Sequence, residues 1–407
     1  MATSAKLPRA DFLLTNAGRL VTCSRRFGEG LLGVIEYGAF AAAEGEVVWV
    51  GQEHYLRGSV EVTPDAIEVD AGGAAVLPGF VDCHTHLVFA GDRSEEFAAR
   101  LRGSPYSAGG VAATVAATRA AGDDELRALA WRRLERFASF GVTTVEAKTG
   151  YGLTPHNERR LLDIARTLDH PVEIVPTYMG AHVIPEQYAD APDDYVGLVC
   201  DQIEDVADDA EFCDVWCDSG AFTVEQSRRV LEGARAAGMK LKVHAEQFKR
   251  TGGAHLAAEL KATSADHLEH ATWEDAQALA EAAVVAVLLP GASLMTGAPF
   301  APARMLIERG ARVALSTDFN PGSSYSENLQ LMVGLACIHL KMTPEEAILG
   351  ITRHAAAAVA REGKAGSLEP GAPADLVVLD EATELALAYH YGVNLAARVF
   401  KRGVEIV

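Results

Sequence analysis

The stretch whose reading decides the fold is residues 76–93, VLPGFVDCHTHLVFAGDR. Pro78 and Gly79 punctuate the chain before a short apolar strand signal at Phe80-Val81, and that strand is expected to end in His84-Thr85-His86. Side chains alternate across a strand, so His84 and His86 should face one way and Thr85 the other. Two imidazoles side by side at a strand end are two ligands of a metal site that needs partners from elsewhere. Alone, an HxH pair is a weak signal, equally compatible with a polar strand face. The remainder of the chain decides.

Outward from this stretch, to about residue 360, strand-like runs alternate with amphipathic helical ones. The strand-like runs end at His86, Lys148, His182, Asp218, His244, His267, Pro290 and Asp318. Helical stretches at 124–139, 157–168, 225–237 and 273–282 separate many of them. Eight strands with crossover helices predict an α/β chain folded as a (β/α)8 TIM-like barrel, with its site at the C-terminal strand ends. An open doubly wound sheet is the alternative. No GxGxxG follows the first strand, however, and polar residues gather at many strand ends rather than at one switch point.

The two flanks read differently. Short strands at 12–14, 47–50 and 66–69 are broken by glycine, and the style returns at 374–379 and 397–407. Residues 1–75 plus 365–407 are therefore expected to form one small β-sandwich domain from both termini, with the barrel over 76–364.

Composition fits a globular enzyme: 49% of the 407 residues are hydrophobic and 23% charged. A net charge of −20 argues against nucleic acid and anionic membranes as partners, and means that an anionic substrate must be met by local cations. The first twenty residues lack the apolar core of a secretory signal, and the run at 282–289 is too short to span a bilayer. Six cysteines without paired metal spacing suggest reduced thiols in the cytoplasm. Cys213 and Cys217, with Trp216 between them, are expected to be core packing.

At the strand ends, His84 and His86, His244, His267 and Asp318 would converge on the barrel mouth. Three histidines and a carboxylate suit one zinc or ferrous ion with a position left for water, and leave His267 near the substrate. Each has a plainer explanation: His244 as a core histidine, Asp318 as a turn residue before Asn320-Pro321-Gly322. One consistent strand count for all five favours the site.

This arrangement, with the split β domain, resembles the amidohydrolase superfamily of metal-dependent hydrolases. Two-metal members carry a bridging lysine at the end of strand 4. Here strand 4 ends in Cys217-Asp218-Ser219 and Lys148 lies on strand 2, so one metal is expected, with Lys148 pairing to Glu146 on its own strand face. Within the superfamily, the segments PGFVDCHTHLVFAGDR, EAKTGYGL, PTYMGAH, KVHAEQF, SADHLEH, LLPGAS, STDFNPGSS and MTPEEAI resemble the imidazolonepropionase family over nearly the whole chain. Ser323 stands where that family often has threonine, Asp218 where glutamate is expected, and His354 where asparagine is common.

The resemblance implies that His84, His86, His244 and Asp318 bind the metal, either zinc or iron. It implies substrate contacts from Arg93, Tyr151, His182, Gln247, Asn320, Gly322 and Ser323, with Tyr106 a weaker candidate. The implied reaction is hydrolysis of 4-imidazolone-5-propanoate to N-formimidoyl-L-glutamate by a metal-activated hydroxide. Asp318 would move the proton and His267 would stabilise the oxyanion, in a cytoplasmic homodimer. Two other readings remain. A mononuclear deaminase of a cytosine- or guanine-like ring would want a glutamate where Gln247 stands; a metal-free binding module would have no use for the intact ligand set.

Overall fold

The computed structural model describes residues 7–103 and 110–407. Tyr106 lies outside the described residues. Five strands open the chain: β1 (Arg9–Val21), β2 (Val34–Ala43), β3 (Glu46–Gln52), β4 (Glu61–Asp70) and β5 (Ala75–Pro78). Eight follow, as β6 (Phe80–Asp82), β7 (Val142–Lys148), β8 (Glu173–Ala181), β9 (Phe212–Cys217), β10 (Lys240–Ala245), β11 (Ser264–His267), β12 (Val285–Leu288) and β13 (Val313–Leu315). Three close it: β14 (Leu376–Leu379), β15 (Ala396–Lys401) and β16 (Val404–Glu405).

Both ends of the chain build one mixed sheet, in the order β16-β15-β14-β5-β1-β2-β3, with β4 paired to β1. Its core joins the termini directly. Phe12 packs on Phe40 and, edge-on, on Phe400 at ring-centroid distances of 5.8 and 5.7 Å. β1 runs through Thr15-Asn16-Ala17-Gly18, a stretch that reads as a turn. It does so by a register shift between Leu14 and Ala17, with Asn16 in the left-handed region at φ 56°. β2, rich in alanine around Gly38, has little apolar alternation to announce it.

β6 to β13 lie in sequence order with every neighbouring pair parallel. Every strand of the barrel is buried along nearly its whole length, because helices cover it outside and side chains fill the barrel inside. The helix Asp123–Ser139 buries Leu126, Ala130, Leu134 and Phe137 on one face. The helices Val224–Ala236 and Pro344–Gly350 start with capping boxes, Thr223 with Gln226 and Thr343 with Glu346.

The barrel closes between its first and last strands. Thr85 forms a parallel bridge with Phe319, and the His86 N–H donates to the Phe319 carbonyl at 2.8 Å. Asp82 fastens the seam: its carboxylate accepts from the Ser316 hydroxyl and, at 2.6 Å, from Thr317 Oγ1. β6 therefore ends at Asp82, four residues before the expected end, and the two histidines sit on the segment that bridges to Phe319. No helix among the described residues is long and apolar enough to cross a membrane.

Candidate metal centre and substrate pocket

The strand ends bring their histidines together at the C-terminal mouth. His84 lies 4.4 Å from His244, 5.6 Å from His267 and 6.0 Å from His86, ring centroid to ring centroid. Two overlapping sets have potential ligand atoms within 4.8 Å of one another: His84, His86 and Asp318, and His84, His244 and His267. His84 belongs to both. Its Nε2 is buried 3.5 Å from Asp318 Oδ1 without a hydrogen bond, and His86 Nδ1 is likewise buried and unpartnered. An orphaned buried nitrogen is costly, and a cation among such atoms relieves that cost.

The other ring nitrogens are fixed. His84 Nδ1 lies 2.6 Å from Asp266 Oδ2, and His244 Nδ1 lies 3.1 Å from Asp214 Oδ1. A carboxylate on Nδ1 sets the tautomer that presents Nε2, as metal-binding histidines require. Burial also keeps the rings neutral. It drives His84 and His86 well below the ordinary histidine value and His244 and His182 down to about 4. His267 is the exception: burial opposes its charge, but Glu269, with Nδ1–Oε1 at 3.5 Å, raises it. Burial pushes the Asp318 carboxyl up to about 6, against the pull of His267, Ser323 and Asn320. The donor set thus fits one divalent ion of the zinc or iron type.

Four residues at these strand ends adopt left-handed backbone: Glu246 at φ 57°, His267 at φ 80°, Leu268 at φ 68° and Asp318 at φ 52°. Such conformations cost about 1–3 kcal/mol each, which the surrounding hydrogen bonds must hold down. Asn320 does so for Asp318. Its Oδ1 accepts from the Gly322 and Ser323 amides, and Ser323 Oγ donates to Asp318 Oδ2 at 2.9 Å.

Above the histidines lies a pocket lined by Arg93, Tyr151, His182, Gln247, Asn320 and Ser323, together with His86, His244, His267 and Asp318. Gly322 adjoins it: a Cβ there would meet Arg93 Nη1 at 2.2 Å, so only glycine lets the guanidinium pass. Arg93 is 6% exposed and forms a bidentate pair with Glu96, both bonds at 2.7 Å. The arginine thus pairs with Glu96 and keeps a place in the pocket wall. Asp218 accepts from the Gln247 and Phe248 amides at 2.6 and 3.0 Å and so positions Gln247. Glu246 turns away, accepting from the Thr251, Gly252 and Ala254 amides.

Several participants escape a sequence reading. Cys213 and Cys217 are buried as expected, while Trp216 between them is buried too but also lines the pocket, 5.7 Å from His182. Glu158, in the first turn of the helix Pro155–Thr167, holds the loop that carries Tyr151. A buried Glu following a Thr-Pro helix start is the signal that could have found it. Lys148 pairs with Glu146 at 2.8 Å as its strand spacing predicts, and also with Asp214 at 2.6 Å and Asp266 at 3.7 Å.

A family model described as the amidohydrolase family matches residues 106–389. Among curated proteins, the imidazolonepropionase of Symbiobacterium thermophilum is 46% identical over 413 residues, covering 98% of this chain and 97% of the relative. The imidazolonepropionase of Geobacillus kaustophilus is 44% identical over 410 residues, covering 98% and 97%. Among solved structures, a zinc-bound adenosine deaminase from Xanthomonas campestris superposes with a TM-score of 0.73 at 18% identity, covering 98% of this chain and 93% of that one. A triazine hydrolase from Arthrobacter aurescens gives 0.75 at 18% identity, covering 97% and 94%. At such identities the structural likeness speaks to the fold alone.

Proposed function

Because this chain belongs to the amidohydrolase family and, within it, to the imidazolonepropionases, we propose that it hydrolyses the ring amide of 4-imidazolone-5-propanoate to N-formimidoyl-L-glutamate, a step of histidine degradation. One observation supports the reading: His84 belongs to two overlapping sets of possible ligands, one with His86 and Asp318 and one with His244 and His267, beside a pocket whose wall holds a buried arginine.

In this reading His84, His86, His244 and Asp318 hold one divalent ion, zinc or iron. When bound, the ion polarises water and lowers its pKa toward neutrality. Asp318, whose buried carboxyl sits near pH 6, accepts the proton as water adds to the ring carbonyl carbon. The same proton then passes to the ring nitrogen as the carbon–nitrogen bond breaks. His267, kept protonatable by Glu269, donates to the oxygen on which negative charge develops. That nitrogen departs as part of an amidine, a better leaving group than an ordinary amide nitrogen.

Arg93 offers a planar fork to the propanoate, with Tyr151, His182 and Gln247 around the ring and Asn320, Gly322 and Ser323 closing the far side. Tyr106 is proposed as a further contact from the sequence alone. Residues 76–364 form the catalytic unit and residues 1–75 plus 365–407 the accessory β unit. The enzyme is read as a cytoplasmic homodimer whose partner is a small anionic substrate, not nucleic acid or membrane. Its six cysteines are all free, which suits a reducing compartment. A deaminase is disfavoured, since Gln247 cannot titrate and Glu246 is spent on backbone amides.

The test is metal analysis of the purified protein together with turnover of imidazolonepropanoate, followed as loss of ring absorbance. About one ion per chain and metal-dependent turnover are expected. Metal-loaded protein that leaves the compound intact would overturn the substrate assignment.

A further inference from the structure

Alternation along β7 puts Glu146 and Lys148 on one face, and both point into the barrel, where neither is more than 1% exposed. An interior of this kind is normally filled by branched apolar side chains. Here it holds an ionic layer of Glu146 and Lys148, with Asp214 from β9, Lys242 from β10 and Asp266 from β11. Charges so deep are tolerated only where each is closely paired.

The layer is not symmetric in what it does. Asp214 holds Nδ1 of His244, and Asp266 holds Nδ1 of His84. The Lys148 ammonium touches both carboxylates, at 2.6 and 3.7 Å, and is the group they share. Removing it would leave Asp214 without its ammonium partner and Asp266 with the charge of Lys242 alone, so the two buried carboxylates would no longer be held together, and like charges held close drive side chains apart. Whatever moves those carboxylates moves the two imidazoles they orient.

We propose that Lys148 is a positioning residue for the metal centre: one buried ammonium holds Asp214 and Asp266, and through them fixes the ring orientation of His244 and His84. The role rests on the ligand assignment made above. It also accounts for a lysine in the barrel that ligates nothing. Pinned by three carboxylates, the ammonium has no lone pair to offer a metal.

Lys242 supplies the control. It is equally buried, but its Nζ pairs with Glu146 and the Cys83 carbonyl oxygen, each at 2.9 Å; among the described residues no ion pair joins it to Asp214 or Asp266, and its charge acts on Asp266 only from a distance. Zinc dissociation constants are measured by chelator competition for wild type, Lys148→Met and Lys242→Met, alongside thermal unfolding of the metal-free proteins. Both variants should unfold at lower temperature. Lys148→Met should weaken zinc binding by about 10- to 100-fold, the usual effect of losing a group behind a metal ligand. Lys242→Met, which leaves Lys148 in contact with both carboxylates, should weaken it several-fold less than Lys148→Met does.

If Lys148→Met does not fold, Lys148→Met/Glu146→Gln, which removes one charge of each sign, takes its place with the same expected loss. Zinc affinity retained in the Lys148 variant, or lost equally in both, would overturn the positioning role while the ligand assignment stands. Wild type that binds no zinc, or His84→Ala that binds it fully, would instead overturn the ligand assignment and this role with it.

Discussion

Replacing Glu158 with glutamine tests how the pocket wall is held. Oε2 of the carboxylate accepts from the Gly150 amide at 2.9 Å, and Oε1 accepts from the Gly152 and Leu153 amides at 2.7 Å each. A glutamine keeps one oxygen and turns an NH2 group toward the other side, so at least one buried backbone N–H faces a donor. A hydrogen bond to a charged group is worth about 1.5–3 kcal/mol, and an unsatisfied buried donor costs about 1–3 kcal/mol. The variant therefore loses about 2.5–6 kcal/mol, concentrated in one loop. That loop carries Tyr151, and its Gly150 carbonyl accepts from His182 Nδ1 at 2.8 Å. Both proposed substrate contacts are loosened together while the metal ligands are untouched. Steady-state kinetics with metal analysis should show KM raised about tenfold or more, a smaller fall in kcat and unchanged metal content; 1.4 kcal/mol of lost binding already accounts for about tenfold. A variant that unfolds more easily yet keeps KM within about twofold would refute the reasoning, since the loop would then be positioned by something else.

Other outcomes are expected of the same site. His84→Ala and His244→Ala should each lose bound metal and turnover while circular dichroism stays native; full occupancy in both would remove them from the ligand set. Asp318→Asn should lower turnover by about 10²- to 10⁴-fold, more than it weakens substrate binding, and near-normal turnover with metal bound would take Asp318 out of proton transfer. Arg93→Lys and Arg93→Ala should each lose about 2–4 kcal/mol in kcat/KM with metal content unchanged. An imidazolone without the propanoate should barely register either change; an equal penalty on both compounds would make Arg93 structural. Protons compete with the metal only as pH falls through each ligand's folded pKa. With His84 and His86 far below their ordinary values, His244 near 4 and Asp318 near 6, zinc affinity should drop only about fourfold from pH ~7.5 to pH ~5.5. Histidines of ordinary pKa, about 6.5, would cost about tenfold each at the lower pH, and a fall of that size would refute the burial argument.

How far the sequence carried follows from how each feature is encoded. The eight barrel strands were legible because buried strands such as β12 and β13 write themselves as short apolar runs and the others as β-branched runs interrupted by few charges, and seven of the eight end within a few residues of a polar strand-end residue. His84 and His86 were found although their strand stops at Asp82, because the seam to Phe319 keeps the segment in place. β2 and most of β1 were not legible: alanine-rich pairing leaves no alternation, and Asn16-Ala17-Gly18 reads as a turn where the chain makes a bulge. The carboxylates behind the histidines were invisible for another reason. Asp266 is 182 residues from His84 and Asp214 is 30 from His244, and no local pattern links such partners. The pocket role of Trp216 left no signal, because an aromatic residue between two buried cysteines looks the same whether or not one face of it lines a pocket.

The Asp82 fastening also bears on how the protein is made. It joins residues 234 apart in the chain, and Asp318, the last of the proposed ligands, arrives with it. At roughly 5–20 residues per second, a ribosome that has delivered His84 and His86 needs about 10–50 seconds more before the seam can close. During that interval the growing chain is an open sheet with unpaired edges at β6 and at its newest strand, the exposure that invites pairing between nascent chains. β5 waits longer still, for β14. The proposed ligand set is therefore complete only in a nearly finished polypeptide, so metal loading should follow closure of the barrel rather than precede it.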